Sequence, residues 1–146
     1  MLKKILITGG EGQLGKPLCS YLYNKYNILS TSRKIYESNK LYNSFKMDIS
    51  SKEAVYKTIN SFKPDIIINC AAYSNVDYCE KNKKKTHSIN VNGLRNIIDT
   101  APKTTFIIHI STDYIFDGIN GPYLEEDLAY PINYYGKTKL EAENIL

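Results

Sequence analysis

A run of glycines set directly after the first apolar segment constrains this chain more than any other feature. Lys4 to Thr8 reads as a short buried strand, and Thr8-Gly9-Gly10-Glu11-Gly12-Gln13-Leu14-Gly15 follows it without a break. Leu14, Leu18, Tyr21 and Leu22 then recur at helical spacing, so the glycines occupy a strand-to-helix turn. The turn satisfies both GxGxxG and TGxxGxxG. Glycines here allow a sharp bend and let backbone amides approach a pyrophosphate, while the helix N-terminus adds unpaired N–H donors and positive dipole. GxGxxG alone is a weak signal, but a strand before it and a helix after it are the context a dinucleotide site requires.

The same alternation continues along the chain. Strand-length apolar runs recur at Asn27 to Thr31, Asp65 to Cys70 and Thr104 to Ile110, with a shorter one through Phe45 to Met47. Between them, Ala54, Val55, Ile59 and Phe62, and then Ile89, Leu94, Ile97 and Ile98, repeat at helical spacing. Ser50 or Ser51 is placed to cap the first of these two helices. The expected fold class is therefore α/β: a Rossmann-type doubly wound parallel sheet with helices on both faces. Residues 1–146 are read as one NAD(P)-binding Rossmann domain, long enough for a single core. Pro131 to Leu146 reads as a loop entering a helix that is still in good helix-forming sequence at its last residue, so the expected architecture stops before a substrate-binding part.

Composition narrows the function classes. No run of 18 or more apolar residues occurs and no signal-peptide stretch opens the chain, so a cytoplasmic protein without a membrane span is expected. Cys19, Cys70 and Cys79 lack metal or disulfide spacing and are read as reduced thiols; no metal site is expected. His109 lies inside the apolar run Phe106 to Ile110 and reads as a core histidine, and neither it nor His87 is singled out for chemistry. The net charge of +4 is concentrated at Lys81 to Lys85, but no aromatic interleaving accompanies it, so a solvated segment is expected instead of a nucleic-acid site.

Cofactor choice follows from the end of the second strand. An NAD site would place a carboxylate there to accept from the ribose 2′-hydroxyl. The chain instead reads Ser30-Thr31-Ser32-Arg33-Lys34, and the Ser32 hydroxyl and Arg33 guanidinium suit a 2′-phosphate. NADPH is expected, with NADH as the alternative.

Near the other end, Tyr135 and Lys139 stand at i and i+4 and share a helix face. A phenol with a pKa of about 10 is a poor acid at neutral pH, and a nearby ammonium is expected to lower it. YxxxK is cheap in a chain with 13 tyrosines, so a third member is needed. Ser111-Thr112-Asp113 supplies it at the carboxyl edge of a strand, where open α/β sheets bind ligands and where a hydroxyl can polarise a carbonyl.

Together these segments resemble the extended short-chain dehydrogenase/reductase superfamily, and most closely the dTDP-4-dehydrorhamnose reductase family. The most specific pieces are Gly12-Gln13-Leu14-Gly15, Asn69-Cys70-Ala71-Ala72-Tyr73, Val76-Asp77-Tyr78-Cys79-Glu80, Ser111-Thr112-Asp113-Tyr114-Ile115-Phe116-Asp117-Gly118 and Pro131 to Lys139. The resemblance implies that Gly9, Gly12, Gln13, Leu14 and Gly15 line the pyrophosphate, Asp48 and Ile49 the adenine, and Ala71, Ala72 and Tyr73 the ribose and phosphate region. It implies a structural or proton-relay role for Asn90. Thr112, Tyr135 and Lys139 would be the catalytic set, with Thr112 and Asp113 beside a nucleotide-sugar substrate. The implied reaction is reduction of the 4-keto group of a nucleotide-activated 6-deoxyhexose in dTDP-L-rhamnose synthesis, with a homodimer or a second polypeptide completing the fold. The alternatives are another nucleotide-sugar epimerase or dehydratase, a non-catalytic NADP-binding regulatory subunit, or a fragment.

Overall fold

Five short strands hydrogen-bond in the order β3-β2-β1-β4-β5, and every adjacent pair is parallel. The structure, a computed structural model, describes residues 2–35 and 41–146. The strands are β1 (Lys4–Thr8), β2 (Asn27–Ser32), β3 (Asn43–Lys46), β4 (Ile66–Asn69) and β5 (Phe106–His109). The helices are α1 (Gly15–Leu22), α2 (Lys52–Phe62), α3 (Val76–Lys81), α4 (Lys83–His87), α5 (Gly93–Thr100) and α6 (Tyr134–Glu143). A π-helical turn over Ser88–Asn92 joins α4 to α5, and a 3₁₀ turn covers Asp113–Ile115. The expected strands all form: β1 has the expected bounds, and the ends of the other four differ by one or two residues, as strand ends commonly do.

The chain winds from β1 outward to β3, then returns to pair β4 against the free side of β1. That reversal between β1 and β4 is the switch point where doubly wound sheets open a crevice at their carboxyl ends. Side-chain alternation gives the sheet two apolar faces. Leu6, Leu29 and Ile67 point to one face and pack with Val55 and Ile59 of α2 and Ile97 of α5. Ile5, Ile7, Ile28 and Ile68 point to the other and pack with Cys19 of α1. Leu6 and Ile67 are fully shielded, as the apolar runs of parallel strands covered on both faces require.

Local sequence fixes the helix entries. The Ser51 hydroxyl accepts from the Ala54 amide at 3.3 Å and starts α2, so Ser51 is the cap of the two serines expected. Asn75 caps α3 and Asn133 caps α6, the latter by accepting from the Gly136 amide at 2.8 Å. No described helix is long and apolar enough to cross a membrane.

Replacing Leu6 with Ala removes a central core side chain, so urea denaturation should show a loss of about 2–5 kcal/mol. Tyr56→Ala, at a side chain 61% exposed on α2, should cost under about 1 kcal/mol in the same assay.

Candidate active site

Gly9 adopts φ 68° as it leaves β1, a conformation that side chains rarely take, and a Cβ there would lie 2.8 Å from the Ala71 amide nitrogen. A Cβ on Gly15 would lie 2.3 Å from the Gly9 carbonyl oxygen, so α1 begins hard against the turn. These close approaches draw the glycine loop against the end of β4 and leave beside it a cavity of about 690 Å³. That volume falls within the range of ligand clefts. Gly9, Gly12, Ser32, Arg33, Ile49, Ala71, Ala72 and Tyr73 line it, as the sequence leads one to expect. The backbone-lined turn on one side and cationic and hydroxyl groups on the other fit a dinucleotide and its phosphates.

Gln13, Leu14, Gly15, Asp48, Tyr135 and Lys139 do not line it. Gln13 and Leu14 sit in the turn that leads into α1, and Gly15 is the first residue of that helix. Asp48 is occupied elsewhere: its carboxylate accepts from the Ser50 amide at 2.9 Å and the Ser50 hydroxyl at 2.7 Å, closing the turn into α2. Met47 stands with Ile49 in the wall instead, joined by Glu11, Lys34, Lys46, Cys70 and Ile89. Sequence reasoning missed Met47 because the position before a turn gives no periodic signal.

Arg33 and Tyr73 meet across the cleft. The guanidinium lies 4.5 Å from the Tyr73 ring centre and donates to its hydroxyl. Burial works to raise the Tyr73 phenol, but hydrogen bonding and charge from Arg33 outweigh it, so the net shift is downward. The Tyr78 ring packs against Tyr73 at 4.9 Å.

The second group of residues lies at the ends of β4 and β5. Asn90, buried in the π-helical turn, accepts from the Tyr73 amide at 2.8 Å and donates to the Tyr73 carbonyl and to the Thr138 hydroxyl, each at 3.0 Å. It thereby ties the loop after β4 to α6, which is a structural role; π-turns recur where a side chain must be re-aimed. Thr112 donates to the Asp113 carboxylate at 3.2 Å and accepts from the Tyr114 amide at 3.3 Å. Tyr135 is 8% exposed, with the Tyr114 ring set edge-on at 5.7 Å. Burial raises the Tyr135 phenol, against a lowering contribution from hydrogen bonding to Thr112. The expected lowering by Lys139 is therefore corrected: desolvation wins, and the lysine is engaged elsewhere.

Lys139 is 2% exposed. Its ammonium donates to the Ile110 carbonyl and lies 2.8 Å from His109 Nε2. Burial lowers it to about 8, offset by the negative charge of Glu143 and by Cys70. Cys70 is itself pushed up to about 11 by burial. His109 is partly buried, and its ring bridges Lys139 and the Asn69 amide, which is 3.0 Å from Nδ1. Burial, then the Lys139 charge, lowers His109 to about 4. Among the described residues, no group of His, Cys, Asp and Glu could hold a metal ion.

The strand order and the crevice beside β1 and β4 place this protein in the Rossmann-type dinucleotide-binding class. Its position within that class is narrower. Residues 3–146 match the RmlD substrate binding domain family, and the chain belongs to it. It is 38% identical to a dTDP-4-dehydrorhamnose reductase of Aggregatibacter actinomycetemcomitans, over 99% of this chain and 47% of that protein. It is 35% identical to methionine adenosyltransferase 2 subunit beta of Bos taurus, over 97% of this chain and 42% of that protein. A solved dTDP-4-dehydrorhamnose reductase of Bacillus anthracis, in complex with NADP, superposes with a TM-score of 0.85 at 34% identity. That match covers 99% of this chain and 48% of the solved one. The chain thus spans about half the length of these relatives.

The His109 shift gives a pH dependence with a definite sign. An unfolded imidazole takes up its proton below about 6.5, whereas the folded ring resists protonation down to about 4. Stability contributed by the neutral ring is present above pH 6.5 and is lost as pH falls through that window. Thermal melts between pH 7 and pH 4 should show this decline, and His109→Gln should flatten it.

Proposed function

We propose that the chain binds NADPH in the crevice at the β1/β4 switch point and carries the reducing half of a nucleotide-sugar oxidoreductase site. In this reading, residues 1–146 are one NAD(P)-binding domain whose substrate-gripping part lies outside the chain. The observation that carries it is the glycine-walled cavity at the carboxyl edge of the sheet, whose lining residue Cys70 bears electrostatically on the buried Lys139 behind it. The implied reaction is reduction of the 4-keto group of a nucleotide-activated 6-deoxyhexose, and the relatives named as dTDP-4-dehydrorhamnose reductases support it.

NADPH would supply the hydride. The amides of Gly9 to Gly15 would receive its pyrophosphate, Ile49 would pack near the adenine, and Ala71, Ala72 and Tyr73 would bound the ribose and phosphates. Gln13 and Leu14 are assigned to the pyrophosphate by resemblance alone, as Asp48 is to the adenine. Ser32 and Arg33 would hold the 2′-phosphate, which requires Arg33 to exchange the Tyr73 hydroxyl for a phosphate oxygen. Tyr135 would donate a proton to the developing alkoxide; its raised pKa keeps the phenol protonated at neutral pH. Thr112 would hydrogen-bond the same oxygen, Asp113 would face the sugar, and Lys139 would hold the nicotinamide ribose.

A second reading has a specific observation behind it. Relatives at 35% identity are named as a subunit of methionine adenosyltransferase, so a non-catalytic NADP-binding subunit is the rival.

Fluorescence titration should give tighter binding of NADPH than NADH. Arg33→Ala should weaken NADPH about tenfold to a hundredfold, the value of a charge-assisted hydrogen bond, and leave NADH unchanged. With dTDP-4-keto-6-deoxy-L-mannose, Tyr135→Phe should cut NADPH oxidation by about 10²- to 10⁴-fold while leaving NADPH affinity intact. Binding without any turnover by the parent chain would favour the subunit reading.

A further inference from the structure

A line of buried polar groups crosses the sheet beneath the cleft and ends on Lys139. The Thr8 hydroxyl, at the end of β1, donates to Asn69 Oδ1 at 2.5 Å. Asn69 Nδ2, at the end of β4, lies 3.0 Å from His109 Nδ1. His109 Nε2, at the end of β5, lies 2.8 Å from Lys139 Nζ. Thr8, Asn69 and Lys139 are each no more than 2% exposed and His109 is partly buried, so water competes little for these bonds.

A neutral imidazole carries one N–H, so His109 can donate at only one of its two partners. That restriction leaves two arrangements in which every bond has one donor and one acceptor. In the first, the hydroxyl of Thr8 donates to Asn69, Asn69 donates to Nδ1, and Nε2–H donates to the lone pair of a neutral Lys139 amine. In the second, an ammonium on Lys139 donates to Nε2, Nδ1–H donates to Asn69 Oδ1, and the turned amide donates to Thr8. An amide can be turned without changing its shape, and a hydroxyl accepts as readily as it donates, so both ends of the line permit the reversal. A charged Lys139 facing Nε2–H would set two donors against each other in a dry site.

We propose that Thr8, Asn69 and His109 form a reversible hydrogen-bond line whose direction is locked to the charge of Lys139, making His109 a positioning residue for that lysine. Its use in catalysis rests on the NADPH-dependent reading above, whereas its geometry does not. With Lys139 charged, one N–H goes to Ile110 and one to His109. The charged or titratable groups that bear on this ammonium are Cys70 at the end of β4, His109 on β5 and Glu143 on α6 itself. Only His109 among them touches it and has two interchangeable neutral forms. The imidazole stays neutral throughout, since burial holds it far below the pH range in which the lysine titrates.

The test uses the chain without cofactor or substrate, so a failure to bind NADPH and a failure of this proposal read out separately. Ring ¹⁵N spectra of the chain, with His87→Gln identifying the other imidazole, report the His109 tautomer, and ¹³Cε-labelled lysine reports the charge of Lys139. Between pH 6 and pH 10 the His109 proton should move from Nδ1 to Nε2, with the same midpoint as the Lys139 titration near 8. A single tautomer across that range, or a midpoint apart from that of Lys139, would overturn the proposal. His109→Phe removes the acceptor and should lower the Lys139 midpoint by about one unit, a roughly tenfold larger ratio of free amine to ammonium at any given pH, and His109→Gln should restore it. An unmoved midpoint in a folded His109→Phe chain, or no recovery with Gln, would overturn it equally. Should the Phe variant not fold, the parent tautomer titration still decides.

Discussion

Burying the Lys139 ammonium is the constraint around which the carboxyl edge of the sheet is organised. A charge taken out of water costs several kcal/mol unless it finds hydrogen-bond partners, and removing one partner of a buried charge is strongly destabilising. Here the partners come from the end of β5, through the Ile110 carbonyl and the His109 ring. The ring is satisfied in turn by Asn69 on β4, and Asn69 by Thr8 on β1. One buried cation on the last helix therefore dictates polar residues at the ends of three adjacent strands, in a sheet whose other buried positions are mostly aliphatic.

The same constraint explains how α6 is held. Its buried residues are Tyr135, Gly136, Thr138, Lys139 and Ala142, which is no apolar stripe. Polar ties replace hydrophobic packing: Asn133 caps it, Glu80 accepts from the Tyr134 amide, Asn90 donates to Thr138, and His87 pairs with Glu141 at 3.1 Å. Directional bonds of this kind fix a helix's rotation about its own axis more tightly than interchangeable apolar contacts do. That precision is what the proposed reading asks of a phenol and an ammonium assigned to one ligand.

This division sets what could be read from sequence. The strands and the helices α2 and α5 were legible because burial on a pleated or helical surface imposes a period, and Leu6, Val55, Ile59 and Ile97 keep it. The glycine turn was legible because close backbone approach excludes a side chain at Gly9 and Gly15. The polar line was not: His109 sits among isoleucines, and nothing in one dimension distinguishes a core histidine from one that bridges a lysine. Asp48 misled in the same way, because a carboxylate that closes the turn to Ser50 and one that faces a ligand look alike in sequence. For Tyr135 the sign of the shift was missed because i,i+4 spacing fixes a shared face but not a contact, and burial then decides.

The two sides of the site also differ in what this chain supplies. The cavity wall is built from the ends of β1, β2, β3 and β4 and rests on both apolar faces of the sheet, so each cleft residue has a rigid element behind it. On the far side of Tyr135, the segment from Gly118 to Ile132 presents Ile119, Leu124, Leu128, Tyr130 and Ile132 to solvent, each at least two-thirds exposed except Ile132, at 66%. Phe106 and Ile108 on β5 are likewise open on the face that α1 covers farther along the sheet. Apolar surface of that extent is normal only where something else packs on it. The hydrogen-bond line to Lys139 runs back into the shielded strands and not toward this open side. The partners that hold Lys139 and the walls of the cavity both come from the ends of the sheet's strands, and the exposed loop supplies neither.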